Sequence, residues 1–153
     1  MIYDRTLTDV NSAALLRKKM QAGQTLTAAE QAAFERGACT VSMLNRIESK
    51  QAELMGILNA YCYMVTIETK QWDKDKIFGA DSLEMQRLFS NLDALKQAFC
   101  VYESTPGTPS YLYGYQEAND TEKILADIEN MIGDMEGRFR ECGTFQCGEA
   151  NTL

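Results

Sequence analysis

The chain has 153 residues, with 22 acidic and 15 basic side chains for a formal net charge of −7, five cysteines and no histidine. This length suits a single domain that buries about 70% of its unfolded surface, and the acidic balance argues against a nucleic-acid groove or an anionic membrane surface. The missing histidine excludes Ser-His and Cys-His nucleophilic pairs within the chain and removes the commonest metal ligand.

The first residues, Met1-Ile2-Tyr3-Asp4-Arg5, carry no apolar leader core, and no 18-residue apolar run follows. The expectation is synthesis in a reducing cytoplasm with no membrane span. Thr6-Leu7-Thr8-Asp9 reads as a capping box opening a first helix with apolar positions Val10, Ala13, Ala14, Leu16 and Met20 and a stop at Gly23. A second box, Thr27 to Glu30, opens a short helix through Phe34 that ends near Gly37. A third helix is expected from about Ser42 to Tyr61, with a stripe of Leu44, Ile47, Leu54, Leu58 and Tyr61 widened by Met43, Met55 and Ile57.

Tyr61 to Ile67 is β-branched and aromatic, which suits a short extended segment as well as more helix. The stretch Lys70–Ala80 reads as a loop around Trp72. Asp73-Lys74-Asp75 within it lacks the further acids and glycine of a calcium loop. A fourth helix opens at Asp81-Ser82-Leu83-Glu84 and carries Met85, Leu88, Leu92, Leu95 and Phe99 at alternating steps of three and four. Pro106 and Pro109 mark a loop, after which Tyr111, Tyr113 and Tyr115 alternate as an extended run would. Asn119-Asp120-Thr121-Glu122 reads as the cap of a last helix with the face Ile124, Leu125, Ile128, Met131, Ile132, Met135 and Phe139, stopped by Gly143.

The expected fold class is therefore all-α: an antiparallel bundle of about five helices with short extended segments near 61–67, 111–115 and 142–149. It is read as one helical domain over 1–153 with an extended C-terminal tail at 142–153, with no internal repeat.

The tail holds a recurring Cys-Gly doublet, Cys142-Gly143 and Cys147-Gly148. A zinc clasp would need two more soft ligands, and Cys39, Cys62 and Cys100 are dispersed singly. A redox pair would prefer a helix N-terminus, whereas this one follows a helix C-terminus. The remaining reading is a short extended segment built for pairing, with its own bundle or with a partner. No metal, cofactor or catalytic residue is expected, and paired acids such as Glu48 with Glu53 do not share a face cleanly. The candidate partner-binding residues are Cys142, Thr144, Phe145 and Cys147 in the tail, with Tyr111, Tyr113, Tyr115 and Trp72. For the tyrosines a protein- or sugar-binding strip competes with a role in stapling their loop, and for Trp72 a ligand platform competes with a core anchor. The eight methionines read as core filler before promiscuous surface, and Gly56, Gly133 and Gly137 as points of close helix contact.

Four stretches taken together resemble a family. Tyr3-Asp4-Arg5-Thr6 with Asp9-Val10, Leu44-Asn45-Arg46-Ile47-Glu48, Thr69-Lys70 with Trp72, and Glu117-Ala118-Asn119-Asp120 with Glu122-Lys123-Ile124-Leu125 occur in matching order. They are similar to small helical proteins of phages and prophages of Firmicutes, associated with the tail and receptor-binding region and ending in a doubled Gly-Glu tail. Met43 stands where that family tends to have Asp, and Ile77-Phe78-Gly79-Ala80 where it tends to have Ile-Pro-Thr. The resemblance implies a virion (tail) location after synthesis in the bacterial cytoplasm, and partners among other tail or fibre proteins, with self-association as a further contact. It implies neither nucleic acid nor membrane binding, and it singles out no glycan receptor. Function is accordingly expected to be non-enzymatic and structural. A cytoplasmic phage protein that blocks a host factor is the alternative.

Overall fold

A computed structural model describes residues 1–73, 82–112 and 114–141, apart from the side chains of 139–141. Among these residues the chain forms five α-helices and no strand: α1 (Leu7–Gln21), α2 (Ala28–Gly37), α3 (Val41–Ala60), α4 (Leu83–Ala98) and α5 (Tyr115–Glu141). This is the expected all-α helical bundle. Both Thr boxes close reciprocally, with Thr6 and Asp9 at α1 and Thr27 and Glu30 at α2. At α3 and α4 the caps are Thr40 and Ser82, whose hydroxyls accept from the amides of Met43 at 3.1 Å and Met85 at 3.3 Å. Each box satisfies first-turn amides that would otherwise be orphaned.

The core lies between α3, α4 and α5. Leu44, Leu54 and Leu58 of α3, Leu92 and Leu95 of α4, and Ile124, Leu125 and Ile128 of α5 are all 0% exposed. The predicted stripes of α3, α4 and α5 supply this core, with Gln51 and Glu48 set among them, but Tyr61 at the end of the α3 stripe is 42% exposed, and of the apolar positions predicted for α1 only Ala13 is buried, Ala14 and Met20 facing solvent. Gln51 is accommodated because its amide donates to the Leu88 carbonyl at 2.9 Å.

Contacts along the helices establish their directions. Between α3 and α5 the pairs Arg46–Glu122, Lys50–Glu129 and Tyr61–Glu136 advance together along both helices. α4 advances with α3 through Glu48–Arg87 and Gln51–Asn91, and the residues that follow it reach the same end, where Phe99 packs on Tyr63 and the Tyr102 hydroxyl donates to Asp134. The three core helices thus run in the same direction. The alternation of an antiparallel bundle holds for α1 and α2, where Lys19 pairs with Glu30 and Asp9 with Arg36.

Parallel helices require the chain to travel back, and residues 61–73 do so along α3. The reversal begins at Cys62 (φ 66°) and Met64 (φ 51°), both in the left-handed region that non-glycine residues rarely adopt. Among the described residues the returning backbone has no strand partner. Its polar groups bond instead to asparagine side chains, each amide taking both the N–H and the C=O of one residue. Asn59 does this for Val65 at 2.6 and 2.8 Å, and Asn45 for Trp72 at 2.7 and 3.0 Å. Asn91 holds Glu68 at 3.4 and 2.6 Å. Tyr61–Ile67 had the composition of a strand, but these clasps replace a ladder.

α5 begins at Tyr115, one turn before its predicted cap. Asn119 is helical, and its side chain clasps the backbone of Arg5 at 3.1 and 2.9 Å instead of capping. Thr121 bonds back to the Glu117 carbonyl at 2.8 Å, as a threonine inside a helix does. Gly56, Gly133 and Gly137 have open space where a Cβ would lie, so they mark no close helix contact. The close approach is at Gly37, where a Cβ would sit 2.0 Å from the Asp9 carbonyl oxygen.

Candidate interaction site

Among the described residues three carboxylates are buried, Glu48, Glu122 and Asp127, and all have their oxygens engaged; Asp127 accepts from the Thr105 hydroxyl at 2.8 Å and from Lys123 of its own helix. Glu122 is 0% exposed, with Arg5 Nη2 at 2.5 Å, Arg46 Nη2 at 2.7 Å and the Ile2 amide at 2.5 Å. Burial pushes its carboxyl up, but hydrogen bonds from Arg46, Arg5 and Ile2 outweigh that and hold it below the usual carboxylate range. This knot joins the N-terminal segment, α3 and α5. Arg5 also donates to the Arg36 carbonyl at 2.9 Å, which brings in the end of α2.

Glu48 forms the second knot. It accepts from Trp72 Nε1 at 3.0 Å, the Lys70 amide at 3.3 Å and both terminal nitrogens of Arg87, one of them at 3.2 Å. α3, the returning segment and α4 meet there. A general acid or base must present its carboxyl to a substrate with a suitably perturbed pKa, and here every donor serves to hold chain segments together. Arg5, Asn45, Arg46, Glu48, Trp72, Asn119 and Glu122 are all residues of the four resembling stretches. Their shared place is in the clasps of the fold.

The described surface has several concavities; one of about 310 Å³ lies between α3 and the returning segment, lined by residues including Asn45, Glu48, Thr69 and Lys70, and two others lie at opposite ends of the bundle. A cavity of about 230 Å³ lies between the α1–α2 hairpin and the core, lined by residues including Arg17, Cys39, Met43, Leu112 and Tyr115. An apolar groove of about 770 Å³ lies where α3 and α4 end beside α5. Its walls are Tyr63, Phe99, Tyr102, Met131 and Met135, and its edge carries Cys100, Asp134 and Arg138. Tyr63 meets Phe99 edge to face, with centroids 5.0 Å apart and planes at 89°. The Tyr102 hydroxyl bonds to Asp134 at 2.7 Å, which fixes one wall against α5. Beside the groove Tyr61, Tyr63 and Met64 are 42%, 39% and 88% exposed, a local concentration of apolar surface.

The sequence-predicted site residues fall in three groups. Trp72 is 3% exposed with its indole N–H given to Glu48, so it is a core anchor and not a contact platform. Tyr111 is 45% exposed, whereas Tyr115 starts α5 and lines the smaller cavity. The expected alternation over 111–115 therefore ends in a helix, which turns Tyr115 out of any extended strip. Tyr113 and the tail residues Cys142, Thr144, Phe145 and Cys147 lie outside the described residues. The groove was missed by sequence reasoning, because it forms where three helix ends converge. Its one sequence signal is Met131 and Met135, four apart at the end of the longest apolar stripe.

Among the described residues no cluster of three or more Asp, Glu or Cys side chains could hold a metal ion, and no helix is long and apolar enough to cross a membrane. No protein-family model matches the chain, and comparisons with curated proteins and with solved structures find no match.

Proposed function

We propose that the chain is a non-enzymatic structural protein of a phage tail or host-attachment apparatus, acting through protein–protein contacts in the virion. The observation that carries the contact role is the open apolar groove with its exposed neighbours Tyr61 and Met64. Aromatic and methionine side chains with few charges are the composition of interface cores. The phage context comes from the resemblance of the four stretches, and the partners are other tail or fibre proteins or further copies of the chain. The engaged state of Glu48 and Glu122 supports a structural role, since their donors stabilise the arrangement in which they are found.

Quantitative mass spectrometry of purified particles tests this reading. The expected result is the chain at a fixed, stoichiometric copy number per particle. Its absence from particles but presence in infected cells would overturn the virion assignment and support a host-factor inhibitor. The net charge of −7 would suit that role if the target were itself a nucleic-acid-binding protein.

A further inference from the structure

We infer that the apolar groove seats a second copy of this chain, in a two-fold dimer where the Met64 side chain of each copy enters the groove of the other. This rests on the reading of the groove as the contact site and names its occupant.

The first observation is a knob that the isolated chain does not account for. Cys62 and Met64 turn the backbone at φ 66° and 51°, in the left-handed region where asparagine or glycine is at ease and methionine is not. Met64 also stands 88% exposed, so its side chain gains nothing from the core. Its position is nonetheless fixed on both sides. Tyr63 packs edge to face on Phe99, and the Asn59 amide takes both backbone polar groups of Val65. A strained residue held so firmly points to a role outside the fold of one molecule.

The second observation is the hole beside that knob. The walls of Tyr63, Phe99, Tyr102, Met131 and Met135 suit a flexible thioether, which adapts to them and gains sulfur–aromatic contacts. Knob and hole share one surface, because Tyr63 is both a wall of the groove and the chain neighbour of Met64. A surface that carries both halves of a match is what an isologous two-fold contact requires, since each copy then gives and receives.

The third observation is charge. Two chains of net charge −7 repel, so a contact between them must be locally neutral. The charged residues lining the groove are Asp134 and Arg138, a balanced pair one turn apart on α5. A two-fold axis crossing α5 between them sets Asp134 of each copy against Arg138 of the other. Asp134 gives Oδ2 to the Tyr102 hydroxyl, and a carboxylate accepts at both oxygens. An unrelated partner would have to bring a matching knob and charge pair of its own, whereas a second copy carries both.

Analytical ultracentrifugation of the full chain across a concentration series tests the inference. Wild type is expected to dimerise, and Met64→Asn to raise the dimer dissociation constant by about thirtyfold, as loss of an interface anchor does. Asparagine suits the left-handed backbone, so the thermal midpoint of Met64→Asn should hold or rise. Leu83→Asn is the control, since Leu83 is 82% exposed at the opposite end of α4 and should leave the dimer unchanged. Asp134→Arg and Arg138→Asp should each weaken self-association, while an equal mixture of the two variants should recover a dimer. That recovery is specific to a symmetric pair. A wild type that stays monomeric, a dimer indifferent to Met64→Asn, or a mixture no tighter than its components would overturn the inference. A monomer found at stoichiometric copy number in particles would overturn this dimer and leave the contact role standing. A groove-dependent dimer absent from particles would support the dimer and overturn the virion assignment.

Discussion

In the α3–α5 core Leu44, Leu54, Leu58, Leu92 and Leu95 are completely buried, while in α1 Leu7 and Leu15 stand 60% and 67% exposed. α1 buries Ala13, and α2 buries no residue. The core is held by apolar area removed from water. The hairpin is held by polar geometry: two capping boxes, the Lys19–Glu30 and Asp9–Arg36 pairs, and Arg5 reaching from its base into the Glu122 knot. One chain thus joins two helical units whose stabilities answer to different perturbations.

The largest expected effect comes from the junction. Glu122→Ala leaves Arg5, whose side chain is 2% exposed, without its counter-charge. Breaking such a buried pair costs about 3–5 kcal/mol. Urea denaturation should show this loss, and hydrogen exchange should show α1 and α2 losing protection before the core. Equal loss in both regions would mean that the knot does not join separable units. Next is Leu92→Ala inside the core, expected to cost about 2–5 kcal/mol by transfer and cavity formation. Its signature is a lower urea midpoint for the whole molecule.

Gly37→Ala should act on the hairpin alone. The new methyl cannot coexist with the Asp9 carbonyl, so α1 and α2 must separate at a cost of about 1–3 kcal/mol. Hydrogen exchange confined to residues 7–37 would confirm it.

Acid sharpens the same contrast without a mutation. Hydrogen bonds from Lys19 and Thr27 hold Glu30 down from 4.5 to about 2. Asp9 is lowered by the Thr6 amide and hydroxyl, and Asp4 by Arg36. A depressed folded pKa contributes stability above the unfolded value, and that stability is lost as pH falls through the folded one. Hairpin amides should therefore lose protection as pH falls from 4.5 towards about 2, ahead of core amides. Core protection failing first would contradict this order. The smallest effect is Leu15→Ala, expected within about 0.5 kcal/mol of wild type by urea denaturation.

Local signals were legible in the sequence, and long-range ones were not. A capping box is decided by four consecutive residues, so the starts of α1 and α2 could be read from Thr6–Asp9 and Thr27–Glu30. The stripe of α4 could be read because its burial follows from periodicity alone. Asn119 was misleading, since its amide suits a cap equally well and is used 114 positions away, on Arg5. Helix direction was hidden for the same kind of reason: it depends on the return of residues 61–73 along α3, and that return is held by asparagines scattered over two helices. For the candidate site, Met131 and Met135 were seen as core filler, because the convergence of three helix ends that leaves them lining a groove is a property of the assembled bundle.

The asparagine clasps also bear on how the protein behaves in company. An extended segment on a protein surface ordinarily offers a row of free amides and carbonyls on which another chain can template. Residues 61–73 are engaged at separated points, by Asn59 at Val65, Asn91 at Glu68 and Asn45 at Trp72. Interrupted in this way, the segment lacks the unbroken edge that growth of an intermolecular sheet requires. The chain keeps a strand-like composition there without the self-templating hazard of a strand.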